Sequence, residues 1–229
     1  MGQELFPAGT TIDTLRISAS AWQTWALVVV YFTTFGGFVA LTAWLPTYWT
    51  SAFAVTAMTA GLLTAMYSLL ASGIRIAGGV MADRLYQGGY NTSILALLVM
   101  LAGALLMTTA REYELAIPGV ILLAIGMGIC NAAVFKIVPQ VVPQAVGGAA
   151  GWVGGIGAFG GFVIPPAMAF GVRDLGVRGY SIGFVVFVFL ALASLAVAWI
   201  LKYGTMPAPV SGAQAAGREA AAPLQPARN

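Results

Sequence analysis

The chain has 229 residues, 60% of them hydrophobic and only 7% charged, with a formal net charge of +3. Soluble domains carry about 25% charged residues, so too few charges exist to coat a water-facing surface and a soluble globular fold is excluded. With no histidine and a single cysteine, Cys130, zinc and copper sites, Ser-His-Asp and Cys-His catalysis and an intrachain disulfide are excluded as well.

Residues 1–20 carry Glu4, Asp13 and Arg16 and no long apolar run, so they read as an N-terminal cytoplasmic arm or loop without a cleavable signal. Six stretches then satisfy the length needed to cross a bilayer, about 20 largely apolar residues: 22–48, 57–81, 92–110, 116–138, 148–170 and 180–203. The expectation is an all-α membrane protein whose transmembrane domain, residues 21–203, has six helices and takes the lipid bilayer as its main partner. Asp83, Arg84 and the pair Gly88-Gly89 interrupt the second and third runs. Arg111, Glu112 and Glu114 separate the third and fourth. Pro139 and Pro143 close the fourth, since proline cannot extend a helical ladder. Arg173, Asp174 and Arg178 separate the fifth and sixth. Trp22, Trp25, Trp44, Trp49 and Trp199 fall near the expected ends, where an aromatic belt would lie. Residues 204–229, rich in Ala, Pro, Gly and Gln, read as a disordered cytoplasmic tail.

Loop charges orient the helices. One side receives Arg16, Arg84, Lys136, Lys202, Arg218 and Arg228, the other Arg111, Arg173 and Arg178. This bias places both termini in the cytoplasm of a multi-pass protein of the inner (plasma) membrane. The basic residues occur singly, without the stripe a nucleic-acid surface would show, so no nucleic-acid partner is expected. No cofactor or metal is implied. The spans also lack the paired acids and bases of an enzyme.

Arg75, in LLASGIRIAGGVMA, is the sharpest feature. An arginine at a bilayer centre is unfavourable by about 2.5–3.5 kcal/mol on insertion scales. No Asp or Glu lies inside the other spans, and Asp83 is eight residues on, about 12 Å along a helix. A guanidinium so placed suits an external oxyanion, gripped through two parallel hydrogen bonds; the alternatives are backbone carbonyls or a carboxylate of another chain. The fifth run, GGAAGWVGGIGAFGGFVIPP, places Gly151, Gly154, Gly155 and Gly161 within one arc of a helix, and Gly151/Gly155 and Gly157/Gly161 are small-xxx-small pairs. Close helix packing accounts for that spacing; exposed backbone touching a small substrate is the other reading. Tyr31 and Phe35, four apart in the first run, share a helical face, a spacing that favours core packing over substrate contact. Asp83 beside Arg84 could lock a loop through ion pairs, or be an ordinary loop charge pair.

Together these residues resemble the major facilitator superfamily and, within it, the NarK-type nitrate/nitrite porters. The run Gly78-Gly79-Val80-Met81-Ala82-Asp83-Arg84 is similar to the superfamily's loop motif in its second-half copy, with Gly79, Asp83 and Arg84 as its key positions. The run from Gly151 to Pro166 looks like the second nitrate signature, and NAAVFKIVPQVVP is similar to the family too. The resemblance implies one half of a twelve-helix fold, helices seven to twelve, with the substrate between the halves. In the family one arginine from each half clamps the anion, and Arg75 matches the second. Tyr31 and Phe35 match a site-lining pair, and Gly154, Gly157, Gly160 and Gly161 match glycines along the substrate path.

The function implied is nitrate/nitrite transport by alternating access, as nitrate/nitrite antiport or proton-coupled nitrate uptake, for nitrate assimilation. Nitrate or nitrite would be the ligand and an N-terminal six-helix half the protein partner, absent from this sequence. The lack of a central carboxylate favours nitrate/nitrite exchange, or proton coupling routed through the other half or the substrate. The other readings are a half-transporter for a different small anion, and a truncated fragment or structural membrane subunit.

Overall fold

The computed structural model describes residues 11–204, and every described element is helical. Six helices are long and apolar enough to span a membrane: Trp22–Phe53, Ala57–Arg84, Gly88–Thr109, Tyr113–Val141, Pro143–Leu175 and Val177–Gly204, here the first to sixth spans. They correspond one to one with the six expected stretches and run a few residues further at most ends, because the flanking polar residues continue the helix. The ladder inside each helix satisfies its backbone N–H and C=O groups, which hydrocarbon requires.

The first and fourth spans are the most buried and form the centre; the second and fifth are the least buried. Leu27, Leu41, Leu45, Leu97, Met100, Leu123 and Met127 are fully buried between them. The third and fourth spans pack at backbone distance. A Cβ on Gly126 would lie 2.6 Å from the Ala96 carbonyl oxygen, and one on Gly103 would lie 2.8 Å from the Leu123 nitrogen. Two buried hydroxyls bond back to their own helix. Thr64 donates to the Ala60 carbonyl at 2.8 Å and Ser93 to the Gly89 carbonyl at 2.8 Å. Ser194 Oγ bonds across to Thr33 Oγ1 at 2.7 Å, joining the sixth span to the first.

Three expectations need correction. Within the N-terminal arm, Thr11–Ser20 is a helix rather than a loop. It lies on the fifth span, where Trp152 Nε1 donates to the Leu15 carbonyl at 3.0 Å and Gly148 admits the Thr14 backbone. Ser18, facing that contact, is buried and donates to the Thr14 carbonyl at 2.7 Å. Trp49 is not an interfacial tryptophan: it is 1% exposed and packs against Phe53 and Tyr113, both at 5.8 Å between ring centroids. Trp44 is partly buried with its Nε1 fully enclosed, whereas Trp22, Trp25 and Trp199 are exposed as a belt requires. Pro139 does not end the fourth span, which continues to Val141 and stops before Pro143. One proline removes a single ladder bond, and packed neighbours hold the helix through it. The expected tail lies, beyond Gly204, outside the described residues, as do residues 1–10.

Candidate functional site

The second span begins at Thr56, whose hydroxyl accepts from the Thr59 N–H at 3.2 Å as an N-cap. The helix tightens at Ile74 and continues from Arg75 to Arg84. Ile74 donates to the Leu70 carbonyl at 2.9 Å and accepts from Gly78 N–H at 3.0 Å, so the axis runs through the irregularity. Two glycines press this stretch against the fourth span. A Cβ on Gly78 would lie 2.7 Å from the Ile129 carbonyl oxygen, and one on Gly128 would run into the Ala71 carbonyl. Arg75 therefore leaves a backbone that is pinned on both sides.

The first span supplies the surface that receives it. Its helix widens to a π-helical turn over Phe32–Gly36, a feature concentrated at functional sites. Around that turn four aromatic rings form a ladder. Tyr31 stacks on Phe35 with centroids 5.0 Å apart and planes 13° apart; Phe35 meets Phe38 at 6.0 Å; Phe38 meets Tyr67 of the second span at 5.9 Å. The Arg75 guanidinium carbon sits over the two middle rings, 5.3 Å from the Phe35 centroid and 5.6 Å from that of Phe38. The fourth span buttresses both ends. Phe135 meets Tyr31 edge-on at 5.1 Å and 82°, and Tyr67 donates its hydroxyl to Met127 Sδ at 3.3 Å.

The rings attract the charge by about 0.5–2 kcal/mol each, yet they offer no carboxylate or carbonyl to its N–H groups. Arg75 Nε is buried with no hydrogen-bond partner among the described residues, and no described Asp or Glu lies within ion-pair reach of Arg75. The arrangement fixes the position of a guanidinium whose buried Nε donor has no partner among the described residues.

Tyr31, Phe35 and Arg75 are thus brought together, and Gly157 joins them: a Cβ there would lie 2.7 Å from Tyr31 Cδ1. The other glycines divide. Gly160 faces the Phe32 carbonyl and Gly36 Cα, and Gly161 faces Val39, so Gly157, Gly160 and Gly161 are where the first and fifth spans cross. Gly154 and Gly155 have no atom within 4 Å of a would-be Cβ, and Gly151 meets only Leu15 at 3.9 Å. Of the two small-xxx-small pairs, Gly157/Gly161 packs against a span and Gly151/Gly155 does not. The close-packed glycines are therefore 157, 160 and 161 rather than the arc expected.

At the opposite end of the second span, Asp83 pairs with Lys136 of the fourth span at 2.6 Å, both partly open to solvent. Arg84 is exposed, and Gly79 has open space beside it; the glycine packed against another helix is Gly78. Sequence reading missed Gly36, Gly78, the π turn, Lys136 as the partner of Asp83, and the buried Asn131. It also missed a cavity of about 370 Å³ lined by Phe53, Arg111, Arg178 and Ser181, at the other end from Asp83 and away from Arg75. The run NAAVFKIVP contains both Asn131 and Lys136, and a polar amide in an apolar span was the available signal.

Residues 27–229 match the sequence model of the Major Facilitator Superfamily. The chain is 33% identical over 195 residues to the probable nitrate/nitrite antiporter NarK1 of Thermus thermophilus, a match covering 78% of this chain and 43% of the relative. It is 34% identical over 174 residues to the nitrite extrusion protein of Bacillus subtilis, covering 74% of this chain and 42% of that one. It is 31% identical over 188 residues to the probable nitrate/nitrite transporter NarK2 of Mycobacterium tuberculosis, covering 82% and 47%. The chain therefore spans less than half the length of these relatives. The fold matches a bacterial homolog of the human lysosomal transporter Spinster, inward-facing and unoccupied, with a TM-score of 0.65 at 14% identity, over 89% of this chain and 52% of that one.

Proposed function

The chain belongs to the major facilitator superfamily, and we propose that it is the C-terminal half of a nitrate/nitrite transporter, with Arg75 holding the anion. The observation that carries this reading is the guanidinium of Arg75, fixed over Phe35 and Phe38 with no described acid to pair with it. A planar oxyanion accepts two parallel N–H bonds from one edge of that group. The names borne by the relatives supply the class of anion.

In this reading Tyr31 and Phe35 wall the site and Gly157 lets the fifth span close on it. Gly154 leaves bare backbone along the path, and Gly160 and Gly161 hold the crossing beneath. Gly79, Asp83 and Arg84 act as the loop motif, with Asp83 tied to Lys136. The second and fifth spans, which carry Arg75 and the glycine run, are the least covered of the six, as a partner half across the substrate path requires. Rocking of one half against the other then gives alternating access. The termini are assigned to the cytoplasm of the plasma membrane by the bias of loop charges. The described spans carry no mid-membrane carboxylate: Asp83, Glu114 and Asp174 all stand near span ends. Exchange of nitrate for nitrite is therefore the mode proposed.

The test is deletion of the gene in the native host, followed by complementation. Nitrate uptake and nitrite release should fall on deletion, return with the wild-type gene and stay low with Arg75→Lys. Exchange should persist in membrane vesicles without a pH gradient. Unchanged fluxes on deletion would overturn the proposal.

A further inference from the structure

Asn131 lies in the most polar-averse part of the molecule. It is 3% exposed, in the middle of the fourth span, and neither its Nδ2 nor its Oδ1 has a hydrogen-bond partner among the described residues. A carboxamide has two donors and two acceptor lone pairs, and a buried one left wholly unsatisfied is rare enough in native structures to call for a reason.

Its surroundings follow from its neighbours on the helix. Met127 and Phe135 are one turn before and one turn after Asn131 and share its face. Met127 takes the hydroxyl of Tyr67, at one end of the aromatic ladder, and Phe135 meets Tyr31, at the other. The face between them is therefore turned to the middle of the ladder, where Phe35 and Phe38 carry Arg75. The packing of the second span gives the same level independently. Ala71 and Ile74 meet Gly128, Gly78 meets Ile129, and Asp83 meets Lys136, so the two spans run parallel and residue 75 stands beside the turn that contains Asn131. The buried Nε of Arg75 lacks a partner at this same level.

We infer that Asn131 is the neutral donor of the Arg75 anion site and the residue that separates nitrate from nitrite. This rests on the anion reading proposed above. A guanidinium edge accommodates two oxygens of a planar anion. Nitrite has only two; nitrate keeps a third, which needs a further donor inside the protein. The Asn131 amide N–H, which has no protein partner among the described residues, supplies it. An uncharged donor adds discrimination without adding a second cation to a buried site.

The experiment replaces the chromosomal gene with Asn131→Leu, Asn131→Asp, Arg75→Lys or wild type, and measures KM for nitrate and for nitrite in the same cells. Melting of each purified chain is followed in parallel. Asn131→Leu keeps the γ-branched outline, with a larger side chain, and removes the donors. It should raise the nitrate KM roughly three- to tenfold, the equivalent of one neutral hydrogen bond, with the nitrite KM nearly unchanged and melting no lower than wild type. Asn131→Asp puts a carboxylate beside Arg75 and should abolish transport of both anions. Wild-type nitrate KM in Asn131→Leu, equal loss for both anions, or lowered melting with unchanged nitrate-to-nitrite selectivity would each overturn the role of Asn131. If those results come with a strong defect in Arg75→Lys, the anion reading survives alone. Wild-type cells that move neither anion overturn both.

Discussion

The guanidinium carbon of Arg75 lies 5.3 Å from the centre of the Phe35 ring, which joins a charge from the second span to the π turn of the first. The contact explains how a cation is tolerated at this depth without an acid. Two ring faces offset part of the desolvation, and the close backbone contacts at Gly78 and Gly128 fix the level from which the side chain leaves the helix. On the proposed anion reading, a side chain held in this way loses less entropy on binding.

Arg75→Lys tests the geometry rather than the charge. Lysine keeps the cation but presents a point charge on a flexible stem, without the planar fork. Losing one charge-assisted hydrogen bond of about 1.5–3 kcal/mol should raise the nitrate KM roughly ten- to a hundredfold. A KM within twofold of wild type, measured by uptake of labelled nitrate, would remove Arg75 from the site.

Phe35→Leu tests the ladder. Leucine preserves the apolar volume but removes the stack with Tyr31 and one ring from beneath Arg75. Each such interaction is worth about 0.5–1.5 kcal/mol. The expected result is a melting temperature lower by a few degrees together with a several-fold loss of anion affinity. Tyr31→Phe keeps the stack, so it should leave melting nearly unchanged; a melting loss as large as that of Phe35→Leu would show that the hydroxyl, not the ring, is what counts there.

Gly160→Ala and Gly154→Ala should differ sharply although the residues are six apart in one helix. The new methyl at 160 would sit 2.6 Å from the Phe32 carbonyl oxygen and 3.0 Å from Gly36 Cα, both backbone atoms that cannot swing aside. Overpacking of this kind is destabilising by about 1–3 kcal/mol. At 154 nothing lies within 4 Å, and alanine is the better helix former by about 1 kcal/mol. Thermal unfolding in detergent should rank Gly154→Ala at or above wild type and Gly160→Ala clearly below; equal melting would contradict the backbone crossing.

Asp83→Asn should matter little for stability. Its bond to Lys136 is short, 2.6 Å, but both side chains are about half exposed, and such pairs are worth about 0–1 kcal/mol. A double-mutant cycle with Lys136→Met should give a coupling energy in that range. A transport defect in Asp83→Asn with unchanged melting would assign the pair to motion between halves rather than to folding; coupling well above about 1 kcal/mol would show that it holds the fold.

Arg75, Tyr31 and Phe35 were each visible in the sequence as residue types at a given spacing, and the six spans were visible as apolar runs. Both signals are local: the transfer free energy of a side chain and the period of a helix depend on neighbours a few residues away. Composition likewise settled the lipid environment, since 7% charged residues cannot solvate a surface of this size. Other features depended on how separate helices meet. Gly157, Gly160 and Gly161 look like Gly151, Gly154 and Gly155 in the sequence, yet only the first three lie where another backbone crosses. Trp49 stands at a helix end like the belt tryptophans but is buried because Tyr113 and Phe53 close over it. Lys136 became the partner of Asp83, and Asn131 the neighbour of the Arg75 level, only when the second and fourth spans packed in parallel. The register between helices far apart in the chain is chosen by the fit of whole surfaces, and no single segment encodes it.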